Sequence, residues 1–167
     1  IIDRARSWGL PDGVPVIMLP GRLTRLKGHQ TFIEALARIK DREFLALLVG
    51  STEGRDAYCN ELNAMVKSHG LEGRVQIKGH CDDMAVALML SDVVVSATTV
   101  PEGFGRIAVE AQAMGRPVIA TAHGGSMERL AGWCRSVTLR QWPQRWHLRS
   151  ACPGRRAKQL QIRRGNM

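Results

Sequence analysis

Short apolar runs alternate along the chain with longer segments in which apolar side chains recur every three or four positions. The short runs are residues 14–19, 44–49, 75–77, 93–96 and 117–120, rich in Val, Ile and Leu. Between them, Phe32, Leu36 and Ile39 fall on one helical face, and Leu62, Met65 and Val66 on another. Residues 44–49 are apolar almost throughout and end at Gly50, as expected of a strand covered on both faces. Helices are predicted over 28–39, with Lys27 opening the first, then over 55–69 with Gly70 as its stop. Asp82 is placed to cap a third helix running to Leu90, and a fourth follows over 105–114. The order is β-α-β-α-β-α-β-α-β. Connections of this length do not make hairpins but fit parallel crossovers, so the predicted fold class is α/β, a doubly wound parallel sheet.

Ligands of such sheets bind beyond the carboxyl ends of the strands. Gly21-Arg22, Gly50, Gly79-His80, residues 98–105 and residues 122–125 are the strand-end loops expected to converge there. Residues 101–115 hold the densest chemistry, with Glu102 in a glycine-rich turn and Glu110 in the helical segment behind it. A strand, a glycine turn and a helix start make an anion site, because N–H groups of the first turn lack intrahelical partners. Glu110 sits among Ala108, Val109 and Ala111. Its face is expected to pack in part on the sheet, where an acid needs hydrogen-bond partners such as ligand hydroxyls. Arg22 and Lys27 flank the first loop: the arginine fork matches paired phosphate oxygens and the lysine adds a point charge. Taken alone, that pair reads more readily as solvated surface than as a binding site.

Composition changes this picture at one place. The net charge of +9 is not spread evenly: residues 129–167 hold 10 of the 24 Lys and Arg, none of the 15 acids, and three of the four Trp. The 167-residue length suits one domain with a real core, and no apolar run is long enough to span a membrane. Cys59, Cys81, Cys134 and Cys152 lack paired spacing and read as reduced thiols, hence a cytoplasmic protein. The start at Ile1 suggests a piece of a longer chain. Asp82-Asp83 is not a metal motif, the five His show no ligand spacing, and His29 and His69 read as helix-end residues. His123, in His-Gly-Gly, is placed to approach a ligand, although a tight turn explains its glycines as well.

Together the motifs Gly-Arg-x4-Lys-Gly, Val-Gln-Ile-Lys-Gly, Pro-Glu-Gly-Phe-Gly-x4-Glu-Ala, Gly-x-Pro-Val-Ile-Ala and His-Gly-Gly form an ordered set over residues 14–128. This set resembles the donor-binding C-terminal half of a family 4 retaining glycosyltransferase, whose two Rossmann-like domains form the GT-B fold. The resemblance implies a linker remnant over 1–13 and a nucleotide-sugar-binding domain over 14–128, and residues 129–167, where the pattern stops, are read as a basic tail that is disordered or frameshifted. The resemblance also implies a hexosyl transfer from a UDP- or GDP-sugar, without metal or cofactor, to a glycan or lipid-linked acceptor held by an N-terminal domain absent here. Arg22 and Lys27, beside Gly21, would hold the diphosphate, and Glu102 the sugar hydroxyls. With Arg22 and Lys27, Glu102 is counted among the catalytic residues. Glu110 would meet the ribose, backbone at Gly79 and His80 the base, and the helix start at Gly103, Phe104, Gly105, Arg106 and Ile107 the phosphates. A fragment of this kind should be inactive alone. The longer enzyme is expected in the cytoplasm, with peripheral association at the inner face of the membrane.

The family pattern continues after Glu128 with Thr-Gly-Trp-Leu-Val-Pro, but this chain becomes basic and aperiodic. A one-base frameshift accounts for the change. Reading from the third base of each codon, Trp133-Cys134 forces Val, and Trp142-Pro143 and Trp146-His147 each force Ala. The free third bases of residues 129–146 allow Thr-Gly-Trp-Leu-Val-Pro followed by an Ala-rich run. Two alternatives stand beside the transferase reading. One is a nucleotide- or nucleic-acid-binding α/β module with a genuine basic tail. The other, a sugar-phosphate epimerase of the same architecture, lacks support from the Glu102 and Glu110 pair.

Overall fold

The computed structural model describes residues 1–100 and 105–121. Helix α1 (Ile2–Ser7) precedes strand β1 (Val16–Pro20), and α2 (His29–Ala37) leads to β2 (Leu45–Val49). Helix α3 (Asp56–Ser68), β3 (Val75–Ile77), α4 (Met84–Met89), β4 (Val93–Ser96), α5 (Arg106–Ala113) and β5 (Val118–Ala120) complete the series. All four strand pairings are parallel, in the order β3-β2-β1-β4-β5. The chain builds outward from β1 to β3, then returns to the other side of β1 for β4 and β5. The strand order therefore reverses between β1 and β4, which is where a crevice opens in a sheet of this kind.

The two-residue period of the strands distributes the core. Ile17 and Leu19 of β1 pack with Ala46 and Leu48 of β2 and with Phe32, Ile33, Leu36 and Leu62 of α2 and α3. Val16 and Met18, facing the other way, pack with Leu45, Leu47 and Val49, Ala87 of α4 and Trp8. A third group joins Leu88, Val94, Val118 and Ala120 to Ala108 and Ala111 of α5. Every residue of β1 and β2 is buried, which explains their unbroken apolar runs.

Two local expectations are corrected. Lys27 does not open α2: residues 25–27 form a separate 3-10 turn, and Gly28, at φ 69°, begins the helix. The cap of α4 is Asp83, whose Oδ1 accepts from Val86 N–H at 2.9 Å, not Asp82. Residues 1–13 carry α1 and place Trp8 in the core at 7% exposure. Asp92 has a role that spacing did not indicate: its Oδ2 accepts from Val16 N–H at 2.8 Å and ties β4 to the start of β1. Among the described residues, no helix is long and apolar enough to cross a membrane.

Candidate functional site

Four strand-end loops meet through backbone contacts at the carboxyl edge of the sheet. Gly21 N–H donates to Val49 O at 2.8 Å, and Gly50 N–H donates to Gly79 O at 2.7 Å. The exits of β1 and β2 approach so closely that a Cβ on Gly50 would lie 2.0 Å from Gly21 O. Thr99 N–H and Thr98 Oγ1, beyond β4, donate to Leu26 O at 2.9 and 3.1 Å. Gly28 seats against the same segment: a Cβ there would stand 1.9 Å from Ala97 O. Gly50 and Gly28 are needed because backbone packs on backbone there, and Gly28 needs its left-handed φ as well. Residues 122–125, the fifth expected loop, lie outside the described residues.

Arg22 and Lys27 are brought together within the first of these loops. Thr24 N–H donates to Arg22 O at 2.8 Å, Lys27 N–H to Thr24 O at 3.0 Å, and Gly28 N–H to Arg25 O at 3.1 Å. These bonds fold the loop back on itself. The Lys27 stem then runs over Gly21, where a Cβ would meet its Cδ at 3.4 Å and its Cγ and Cε at 3.5 Å. Arg22 is exposed beside it. Arg22 and Lys27 thus flank the end of β1, which borders the reversal point, and two cations there suit a ligand with several anionic oxygens.

His29, read from sequence as a helix-end residue, is fully buried beneath this loop. Its Nδ1 lies 3.2 Å from Thr24 O, and its ring stands edge-on to Tyr58 at 6.0 Å. A carbonyl only accepts, so Nδ1 carries the hydrogen and the neutral ring leaves Nε2 unprotonated. Burial pushes the imidazole pKa down to about 4; the Thr24 bond opposes this and the Lys27 charge adds to it. The sequence did carry a signal: His29 lies three residues before Phe32 and seven before Leu36, on the buried face.

Gly79 lies at the β3 exit with φ 65°, but its carbonyl is committed to Gly50, which removes one of the backbone groups expected to face a base. His80 is exposed and pairs through Nε2 with Asp82 Oδ1 at 3.1 Å. Lys78 points elsewhere, donating from Nζ to Trp8 O at 2.7 Å, with its pKa lowered by burial. Helix α5 begins after Gly105, at φ 63°, with Arg106 exposed and Ile107 packed in part against the core. Glu110 is exposed, so the expectation that burial forces it to find partners does not hold: Ala108 and Ala111 face the core instead. Glu102, Gly103, Phe104 and His123 lie outside the described residues. Among the described residues no group of three His, Cys, Asp or Glu is placed to hold a metal ion.

A family model described as "Glycosyl transferases group 1" matches residues 14–137. The D-inositol 3-phosphate glycosyltransferase of Xylanimonas cellulosilytica is 35% identical over 119 residues, 70% of this chain and 28% of that protein. A solved glycosyltransferase from Rickettsia africae superposes with a TM-score of 0.79 at 30% identity, over 87% of this chain and 40% of its own. Anabaena Alr3699/HepE, solved in complex with UDP and glucose, superposes with a TM-score of 0.68 at 34% identity, over 75% of this chain and 34% of its own. The structural neighbours are GT-B glycosyltransferases. The chain spans about a third of the length of such relatives. These likenesses favour the transferase expectation over a nucleic-acid-binding module.

Proposed function

The chain belongs to the group 1 glycosyl transferases, and from that premise we propose that it binds the nucleotide-diphospho-sugar donor of a family 4 retaining enzyme. The observation that carries this reading is the Lys27 stem lying over Gly21, next to the exposed Arg22, at the end of β1 where the strand order reverses. The Anabaena relative's UDP complex supports a UDP-sugar as the donor class. Arg22 and Lys27 hold the diphosphate, with N–H groups at the start of α5 completing the phosphate site. Glu102 takes the sugar hydroxyls, Glu110 the ribose, and the Gly79-His80 backbone the base. The exposure of Glu110 fits that role, since a ribose brought to the surface can reach it.

Transfer with retention needs charge stabilised on a departing diphosphate and on an oxocarbenium-like sugar. The two cations and the helix start supply the first without a metal. The leaving phosphate takes the acceptor proton on the face it departs from. A hexosyl group passes to a glycan or lipid-linked acceptor that a second domain presents, so this chain alone holds a donor without transferring it. The longer enzyme works in the cytoplasm, at the inner face of the membrane. Residues 129–167 we read as out of frame, which the gene's nucleotide sequence tests: the alternative frame must read Gly-Trp-Leu-Val across codons 130–134.

Calorimetric titration with UDP and GDP tests the donor reading. The parent chain should bind at least one of them, and Arg22→Ala should weaken binding about tenfold or more, the worth of a lost charge-assisted bond. Absence of binding, or binding indifferent to Arg22, would overturn it.

A further inference from the structure

Arg25, Gln30, Tyr58 and Glu61 meet on the flank of the turn that carries Lys27. Arg25 opens that turn, and its guanidinium grips Glu61 with both arms: Nη1 donates to Oε1 at 2.8 Å and Nη2 to Oε2 at 2.6 Å. Gln30 Nε2, from the first turn of α2, donates to Oε1 at 2.5 Å. The same guanidinium lies over the Tyr58 ring at 5.2 Å, three positions before Glu61 on α3. One carboxylate thus joins the turn, α2 and α3.

The opposite flank of the turn is held by β4. Leu26 O accepts from Thr98 and Thr99, and Gly28 seats against Ala97. Residues 25–28 are therefore clamped between α3 and the end of β4, and the Lys27 stem leaves the clamp across Gly21. The side chains of Arg25 and Glu61 are 65% and 37% exposed, so the pair adds little to global stability. A bidentate fork nevertheless fixes direction, and here it fixes the segment between the two cations of the crevice.

We propose that Glu61 is a positioning residue: through Arg25 it sets the turn that presents Arg22 and Lys27 to a nucleoside diphosphate. This rests on the donor-binding reading above. Neither Glu61 nor Arg25 is assigned to touch the ligand. Their effect is on geometry upstream of binding, where a small misplacement is amplified at the ligand.

The test uses the full chain, Glu61→Ala, and the charge-reversed double variant Arg25→Glu with Glu61→Arg. Binding of UDP and GDP is measured by calorimetry, and amide hydrogen exchange is followed without nucleotide. Glu61→Ala should weaken nucleotide binding about threefold to tenfold. It should speed exchange across residues 22–28 while leaving β1 and β2 protected, and the double variant should recover both. Unchanged binding and exchange in Glu61→Ala would overturn the proposal. So would weaker binding without faster exchange in the turn, or a double variant that recovers neither. If the parent binds neither nucleotide, the donor reading fails and the exchange arm alone decides. Faster exchange in Glu61→Ala, reversed in the double variant, then supports the clamp, and unchanged exchange ends it.

Discussion

His29 is neutral inside the protein and surrounded on every side, with one ring nitrogen on Thr24 O and the other facing the core without a partner. Its pKa is held at about 4, against 6.5 in the unfolded chain. Between those values the unfolded chain takes up a proton that the folded chain refuses. The depressed pKa makes the sign definite: the full stability is present above about pH 6.5 and is lost as pH falls toward 4. The span of about 2.5 units corresponds to roughly 3 kcal/mol, with a slope near 1.4 kcal/mol per pH unit. Urea unfolding of the parent and of His29→Phe, from pH 7 to 4.5, should show this slope in the parent. The variant should be flatter by about one proton. It also loses the Thr24 bond, a cost that does not vary with pH and so leaves the slope comparison intact. Equal slopes in the two proteins would show that His29 titrates freely in the native state.

At the scale of elements, α4 depends on the side chain at its start. It is a six-residue helix, too short to persist by propensity, and Asp83 supplies a capping bond that Asp82 does not. Asp83→Ala should lower stability by about 1 kcal/mol and Asp82→Ala by much less, read as the shift in urea midpoint between the two variants. Adjacent acids could not be ranked from sequence, because the choice depends on where the backbone leaves the helical region. Strands β1 and β2, by contrast, were legible because they are covered on both faces and must be apolar at every position. Parallel pairing followed from connection length, whereas the strand order did not, because no local pattern encodes which side of β1 the chain returns to. The candidate site divided in the same way. Arg22, Lys27 and the glycines beside them were visible as a motif, and at Gly28 a bare backbone contact demands glycine. The Glu61 clamp was not visible, because it joins positions 36 residues apart across an exposed surface.

At the scale of the molecule, the described unit begins before β1. Trp8 closes the face of the sheet built from Val16, Met18, Leu45, Leu47 and Val49, with Leu10 and Val14 packed beside it. Its carbonyl takes the Lys78 ammonium at 2.7 Å, so the segment is fastened to the exit of β3 as well as to the core. Lys78 follows β3 directly and precedes Gly79, so the N-terminal segment is anchored next to a candidate site loop. Trp8→Ala should cost about 3 kcal/mol, in the range for removing a large buried aromatic, and removing residues 1–13 should cost at least as much. Lys78→Met keeps the aliphatic stem and loses only the bond to Trp8. It should cost about 1 kcal/mol in the parent and close to nothing in the chain lacking residues 1–13. Urea unfolding of the parent, Lys78→Met, the chain lacking residues 1–13 and the combined variant forms a double-mutant cycle. Strict additivity would mean that Lys78 and the N-terminal segment act independently. A coupling near 1 kcal/mol would place the N-terminal segment within the folding unit that carries the crevice.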